Sequence, residues 1–266
     1  MNNKKLLYNY FLNSKYLSIK HSAYFDIYSE LLREFRNKKI TFVEIGVHNG
    51  GSLFMWKKFF KYGKIVGIDL NPECKKFEKY GFNIEIGDQS SNIFWDKFFK
   101  KYGNVDIILD DGGHTNHQQI STVVNCIPRI NNGGILITED TFCSYMNDFG
   151  NPSKYSFINF AKKLIDDVHY KSFKLGEYKY SLNNFIYSIL FFNGIVAFKV
   201  NKKLCKNNFI VKNNRPSFNH KDLRYSFNNK NKFKFKLFRK INEIYIVIKL
   251  GIYNRFQSLK SKKYFT

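Results

Sequence analysis

The sequence has few cysteines and no long apolar run. Its four cysteines lie far apart, with no C-x-x-C pair and no spacing typical of zinc ligands. This scatter indicates reduced thiols in a cytoplasmic compartment and argues against a disulfide scaffold. No stretch approaches the roughly 20 uninterrupted apolar residues of a membrane-spanning helix, and the N-terminus lacks the cleavage site of a signal peptide. We therefore expect a cytoplasmic protein.

Acidic residues are scarce in the second part of the chain. Residues 151–266 contain 25 Lys and Arg against 5 Asp and Glu, whereas residues 1–150 contain 19 against 16. Such charge attracts nucleic acid, an anionic membrane surface or a phosphorylated substrate through the same long-range field, so it does not choose among them. The pattern of residues 232–258 predicts an amphipathic basic helix for packing or oligomerisation. The alternative is contact with an anionic ligand or with a membrane surface, such as the inner membrane face.

Helical and strand patterns alternate through the middle of the chain. An amphipathic helix is predicted at residues 22–36, and helical patterns also separate most of the strands that follow. Strands are predicted at residues 40–45, 64–69, 83–86, 106–109 and 134–138. This repeated β-α pattern predicts an α/β fold with a Rossmann-like, doubly wound, mostly parallel sheet.

The alternation ends in a hairpin signal. Two apolar runs, Ile186–Phe192 and Ile195–Val200, are separated only by Asn193-Gly194, which is a strong antiparallel hairpin signal. We predict three parts: an N-terminal helical segment (1–37), an α/β domain that ends in this hairpin (38–200), and a basic, partly helical C-terminal extension (201–266).

The dinucleotide fingerprint G-x-G-x-x-G is absent, which argues against a pyrophosphate ligand. The turn after the first strand reads VEIGVHNGGS (43–52), and its glycines allow the backbone to approach a ligand closely. Asp69 ends the second strand, where doubly wound folds place an acid on ribose hydroxyls. Asp88 follows the third strand and could accept a hydrogen bond from an adenine amino group. Helix capping is the alternative for Asp69, and a turn or capping role is the alternative for Asp88.

Carboxylates also follow the next two strands. Asp110 and Asp111 end one apolar run, Glu139 and Asp140 end the other, and His114 lies three residues after Asp111. In open parallel sheets, ligands bind outside the carboxyl ends of the strands. The sequence therefore predicts a metal-assisted active site at this edge.

These motifs resemble those of class I S-adenosylmethionine-dependent methyltransferases. More narrowly, VEIGVHNGGS, LDDGGH and GGILITEDT resemble the metal-dependent macrolide sugar O-methyltransferases and the related rhamnosyl O-methyltransferase and cephalosporin-hydroxylase-type group. The resemblance covers roughly residues 38–200 and implies the class I methyltransferase fold with S-adenosylmethionine and Mg²⁺, or another divalent cation, as cofactors. Gly113 departs from the group, where serine is usual.

The resemblance implies roles for individual residues. It implies that Asp111, Glu139 and Asp140 bind the metal and that His114 is the general base, so that His114 and Asp111 are the catalytic pair. A hard dication with oxygen ligands would lower the proton affinity of a sugar hydroxyl, while histidine removes the proton. Helix capping by the aspartates and a hydrogen-bonded loop role for His114 are the alternatives. The predicted cofactor-binding residues are Glu44, Gly46, Gly50, Ser52, Asp69, Asp88 and Asp110.

The predicted function is O-methylation of a sugar, or of a nucleotide-linked or phosphorylated intermediate, including a phosphoramidate, in bacterial capsule or surface polysaccharide synthesis. One alternative is an RNA or DNA methyltransferase that uses the basic part. The sequence disfavours it, because it has neither an N-P-P-Y-type motif nor a catalytic cysteine in a recognisable context. Another alternative is a non-catalytic membrane-surface protein. Homo-oligomerisation is left open.

Overall fold

Seven strands form one sheet in the part of the chain that the computed structural model describes, which is residues 3–149, 154–170, 180–207, 209–216 and 261–265. The strands are β1 (Thr41–Ile45), β2 (Lys64–Asp69), β3 (Asn83–Ile86), β4 (Val105–Asp110), β5 (Ile130–Thr138), β6 (Ile186–Phe192) and β7 (Ile195–Val200). Their order is β3-β2-β1-β4-β5-β7-β6. Strand β7 is antiparallel to both β5 and β6, and the other neighbouring pairs are parallel. The predicted doubly wound sheet with a terminal hairpin is confirmed.

Helices cover both faces of this sheet. They are α1 (Asn3–Leu12), α2 (Tyr24–Leu32), α3 (Gly51–Phe59), α4 (Asn92–Tyr102), α5 (Asn116–Cys126), α6 (Phe157–Tyr170) and α7 (Lys202–Lys206). The helical stretch at Pro72–Tyr80 is a 3₁₀-helix, and Asn71 caps its start by accepting a hydrogen bond from the backbone of Glu73. Helix α1 lies within the N-terminal helical segment predicted for residues 1–37, although no separate helix was predicted at Asn3–Leu12.

The strands are apolar on both sides because both sides are covered. In β4, Ile107 and Leu109 face the layer that contains Trp56 of α3, whereas Ile108 faces the layer that contains Trp95 of α4. All three β4 side chains are fully buried. This explains why the strands appear in the sequence as continuous apolar runs and not as alternating ones.

The N-terminal helices belong to the same core as the sheet. Leu7 of α1 and Tyr28 of α2 are fully buried, and the Tyr28 ring packs edge-on against Trp56, with ring centroids 5.1 Å apart. This packing carries the segment between α1 and α2 across the carboxyl edge of the sheet. The division of the chain at residues 37 and 200 stays a prediction.

The predicted C-terminal helix at residues 232–258 lies outside the described residues. Among the helices that are described, none has the length and apolar character needed to cross a membrane.

Candidate active site

A cavity of about 420 Å³ lies at the carboxyl ends of β1 to β4. Here β1 pairs with β2 on one side and with β4 on the other. The strand order therefore reverses between β1 and β4. Such a switch point is where doubly wound sheets bind ligands. The volume lies within the range of small-molecule sites.

Four of the seven predicted cofactor-binding residues line this cavity: Gly46, Ser52, Asp69 and Asp88. The other three do not line it: Glu44, Gly50 and Asp110. The N-terminal residues Leu17, Ser18 and Ile19 form part of the wall, a contribution that no motif in the sequence indicated.

Asp69 fixes the glycine turn as well as facing the cavity. Its Oδ2 accepts hydrogen bonds from the backbone N–H groups of Val47 (2.8 Å) and His48 (2.9 Å), and its Oδ1 accepts one from Asn71 (2.8 Å). Asp88 accepts hydrogen bonds from the backbone and hydroxyl of Ser90. The turn role considered for Asp88 is therefore present, alongside a position on the cavity wall.

Glu44 supports the glycine turn from behind. It is fully buried and accepts hydrogen bonds from the Ser52 hydroxyl (2.8 Å) and the Trp56 indole (3.0 Å). Burial raises the pKa of Glu44 to about 7, against smaller lowering effects of Lys20 and Trp56. The Ser52 hydroxyl thus joins this buried acid to the cavity wall.

Asp110 also acts from behind the cavity, through Gln89. The Gln89 side-chain nitrogen donates to Asp110 (2.9 Å), and its oxygen accepts from the backbone N–H of Gly113 (2.9 Å). Burial raises the pKa of Asp110. Gln89 therefore joins the loop after β3 to the D-D-G-G-H loop after β4. No motif in the sequence marks this glutamine.

A smaller cavity of about 130 Å³ adjoins the first one. Its lining comes from two acidic strand ends and from the N-terminal segment: Ile19, Lys20, His21, Tyr24, Asp111, Glu139 and Asp140. Asp111 lines both cavities. A group bound in the small cavity therefore lies next to a ligand in the large one.

Three predicted site residues converge here. Asp111, His114 and Asp140 each offer a ligand atom within 4.8 Å of the others. The Nε2 atom of His114 lies 3.8 Å from Asp111 Oδ1 and 3.6 Å from Asp140 Oδ2. This set of two carboxylates and an imidazole suits a divalent cation or a proton-transfer site.

The backbone at two of these residues is strained. His114 has a φ of 55° and Asp140 a φ of 52°, in the left-handed region that side-chain-bearing residues rarely adopt. Neither aspartate provides a side-chain helix cap: Thr115 and Gln118 form the capping box of α5, and Asp140 makes no cap hydrogen bond. The capping alternative for Asp111 and Asp140 is therefore not what the structure shows. Strain of this kind is concentrated at functional sites in proteins.

Both carboxylate oxygens of Glu139 already have partners. Its side chain is fully buried, the Tyr28 hydroxyl donates to its Oε1, and the Lys20 ammonium lies 2.8 Å from its Oε2. Burial raises the pKa of Glu139 to about 8, although Lys20 and Tyr28 oppose that shift. Tyr24 makes the equivalent contact to Asp140, at 2.6 Å.

The contacts of Lys20 show that these acids can surround a positive charge. Its Nζ lies 2.6 Å from Asp111 Oδ2 as well as 2.8 Å from Glu139, and its side chain is 2% exposed. Burial works against its charge, but attraction by Asp111 and Glu139 raises the pKa of Lys20 well above its ordinary value. The acids are thus arranged around a positive charge, and they fit a bound cation.

Three residues of this site were missed by sequence reasoning. Lys20, Tyr24 and Tyr28 lie about ninety residues or more before the acids that they contact. The two tyrosines lie one helical turn apart on α2. This spacing indicates that they share a helix face, but it does not indicate which residues that face contacts. No local pattern marks Lys20.

Comparison with known proteins agrees with this geometry. The profile of a family described as a methyltransferase domain matches residues 43–141, which span β1 to the acids after β5. Residues 43–141 are therefore similar to a methyltransferase domain. The predicted resemblance is confirmed.

Several curated relatives of this region are O-methyltransferases by name. The mycinamicin VI 2''-O-methyltransferase of Micromonospora griseorubida is 33% identical over 156 residues, covering 54% of this chain and 39% of the relative. The demethylmacrocin O-methyltransferase of Streptomyces fradiae is 30% identical over 175 residues, covering 60% and 44%. The chain spans less than half the length of these relatives.

Solved structures show the fold beyond residues 43–141. MycE methyltransferase from the mycinamycin biosynthetic pathway, in complex with Mg and SAH, matches with a TM-score of 0.67 at 23% identity, covering 82% of this chain and 57% of that chain. A complex of MycE that also contains mycinamycin VI matches with the same TM-score at 24% identity. The predicted class I methyltransferase fold is confirmed.

Proposed function

We propose that the chain transfers the methyl group of S-adenosylmethionine to a sugar hydroxyl, with the help of a divalent cation. The observation that carries this proposal is the position of Asp111, which borders both the large cavity and the acid-lined small one. Methyl transfer requires the methyl donor and the nucleophile to be held in line and in contact. Two adjoining cavities that share one catalytic acid meet this requirement.

The large cavity binds the cofactor in this proposal. Asp69 accepts hydrogen bonds from the ribose hydroxyls, and Asp88 faces the base. Gly46 allows the backbone to approach the ligand, because its φ of 91° and the nearness of the Asp111 carbonyl exclude a side chain. Glu44, Gly50 and Asp110 act indirectly, by holding the turns that form the cavity wall.

The small cavity binds the reacting hydroxyl. Asp111 and Asp140 would hold the cation, and Glu139 would join them when its contact with Lys20 is broken. When bound, a divalent cation lowers the pKa of a hydroxyl and orients it. His114 lies beside these carboxylates and takes the hydroxyl proton at Nε2. The two neighbouring carboxylates then stabilise the imidazolium.

The relatives support the acceptor class. The names of two of them include a rhamnosyl or an olivosyl group, and MycE is described as bound to Mg and SAH. These names apply to longer proteins, so the acceptor of this chain is our proposal. A small glycosylated molecule or a nucleotide-linked sugar fits it best.

The test is methyl transfer from labelled S-adenosylmethionine to a panel of free, glycosidic and nucleotide-linked deoxysugars and hexoses, with Mg²⁺ and with EDTA. We expect label on a sugar oxygen, dependent on the cation. Transfer to an amine or to RNA from the same cofactor would overturn the acceptor class. Equal transfer in EDTA would overturn the role of the cation.

The charge of residues 151–266 bears on the biosynthetic setting of the acceptor. The basic composition of residues 151–266 suits a nucleotide-linked or phosphorylated acceptor of bacterial capsule or surface polysaccharide synthesis. A preference for nucleotide-linked over free sugar, lost at high salt, would support it. Equal use of neutral macrolide glycosides would favour a secondary-metabolite acceptor instead.

A further inference from the structure

Lys20 holds the same two acids that the proposed cation needs. Its ammonium lies 2.6 Å from Asp111 Oδ2 and 2.8 Å from Glu139 Oε2, and the side chain is almost completely buried. A lysine is fully buried in a protein only when its charge is compensated. Here two carboxylates provide that compensation, at hydrogen-bonding distance.

The backbone around Lys20 is fixed to the cofactor cavity. The Ser14 hydroxyl donates to the carbonyl oxygen of Gly51 at 2.5 Å, and the carbonyl oxygens of Tyr16 and Leu17 pack so closely on Gly51 that no Cβ atom would fit there. Residues 17–19 line the large cavity, and residues 19–21 line the small one. Lys20 therefore lies in a segment that borders both cavities, and the position of this segment places Lys20 against the acids.

A divalent cation and Lys20 exclude each other from these oxygens. A cation such as Mg²⁺ binds carboxylate oxygens at about 2.1 Å, which would place it within a few ångströms of an ammonium that contacts the same atoms. The repulsion between a dication and an ammonium is strong at that distance in a buried site. Cation binding by Asp111 and Glu139 together therefore requires Lys20 to leave.

The remaining oxygens show where a cation would enter. Asp111 Oδ1 and Asp140 Oδ2 both face His114, whereas Lys20 contacts Asp111 through Oδ2. A cation arriving at the His114 side meets two carboxylates, and it gains Glu139 only when Lys20 is displaced. The lysine thus determines whether the third acid is available.

We propose that Lys20 competes with the divalent cation for Asp111 and Glu139. In the metal-free protein, Lys20 binds these two acids and thereby lowers the affinity of the site for the metal. The inference rests on the metal site of the proposed function. Lys20 would thus set the cation affinity from a part of the chain outside the acidic motifs.

The test compares Mn²⁺ binding to the full chain by calorimetry, without cofactor or acceptor. Lys20→Met and Lys20→Gln both remove the charge. The glutamine variant keeps a hydrogen-bond donor near the acids, so it serves as the second test if the methionine variant folds poorly. Lys15→Met is the matched control, because Lys15 is an exposed lysine of the same segment that contacts the Tyr80 ring. Asp111→Asn identifies binding at this site.

We expect both Lys20 variants to bind Mn²⁺ at least about tenfold more tightly than the unmodified chain, and the Lys15 variant to bind as the unmodified chain does. We also expect Mn²⁺ to raise the unfolding temperature more in the Lys20 variants. Unchanged or weaker Mn²⁺ affinity in both Lys20 variants, with binding that Asp111→Asn abolishes, would overturn the competition and leave the metal site standing. Absence of Asp111-dependent binding in every protein would overturn both.

Discussion

A Cβ atom at Gly46 would lie 2.0 Å from the carbonyl oxygen of Asp111. The glycine turn after β1 and the acid after β4 are thus in direct contact, and the backbone N–H of Asp111 donates to the Ile45 carbonyl at 3.0 Å. The glycine turn therefore sets the position of the acid that borders both cavities. Under the proposed function, this contact aligns the methyl donor with the acceptor.

Asp111→Asn should abolish methyl transfer. We expect turnover to fall by about 100-fold or more, because loss of even an outer-shell partner of a metal costs about 10- to 100-fold. Binding of S-adenosylhomocysteine should change little. The control is Asp96→Asn, an exposed acid on α4. Full activity of the Asp111 variant would remove the metal-assisted mechanism.

His114→Gln separates a base from a metal ligand. As a base, His114 contributes about 10²- to 10⁴-fold to the rate, so turnover should fall by that amount while Mn²⁺ affinity stays within a few-fold. His169→Gln, which changes an exposed histidine at the end of α6, provides the comparison. Loss of Mn²⁺ binding in the His114 variant would make this residue a ligand instead.

Asp69→Asn should weaken cofactor binding. The carboxylate both faces the large cavity and accepts two backbone hydrogen bonds from the glycine turn. Removing its charge weakens those bonds, since hydrogen bonds to charged groups contribute roughly 1.5–3 kcal/mol. We expect the dissociation constant of S-adenosylhomocysteine to rise at least about tenfold, with turnover at saturating cofactor little changed. A turnover defect without an affinity defect would contradict the assignment.

Stability should depend on pH through Glu44. Its pKa in the folded chain is about 7, against an ordinary value of 4.5, so between those pH values the folded state holds a proton that the unfolded state has lost. The contribution of Glu44 to the free energy of unfolding is therefore fully present below pH 4.5. It is lost as the pH rises through 7, by an amount on the order of 3 kcal/mol.

The measurement is urea unfolding of the unmodified chain and of Glu44→Gln at pH 5 and pH 8. The unmodified chain should lose stability relative to the variant as the pH rises. Glu30→Gln, at an exposed position of α2, should follow the unmodified chain. Parallel pH dependence of the Glu44 variant and the unmodified chain would show that Glu44 ionises normally.

Sequence patterns predicted the sheet because its causes are local. The apolar runs of β1, β2, β4 and β5 need burial on both faces, and Asn193-Gly194 fits a two-residue hairpin turn with Gly194 at a φ of 78°. The acids after β4 and β5 were found for the same reason: parallel strands bring their carboxyl ends to one edge. Once the strand order is known, it predicts that side chains at neighbouring strand ends lie close together.

The N-terminal contribution was not predictable in this way. Lys20 and Tyr28 reach Asp111 and Glu139 only because α1 and α2 pack on one face of the sheet and carry the intervening segment over its edge. That path depends on tertiary packing, which leaves no periodic signal near Lys20. Gln89 is similar: its role depends on Asp110 at the end of β4 and on Gly113 in the loop that follows β4.

Thermal unfolding with S-adenosylhomocysteine tests the central claim, that the large cavity binds the methyl donor. At about 100 times its dissociation constant the ligand should add roughly 2.7 kcal/mol to the free energy of unfolding, and Asp69→Asn should shift this response to higher ligand concentration. No change in the unfolding temperature at any S-adenosylhomocysteine concentration, with or without Mg²⁺, would contradict the account.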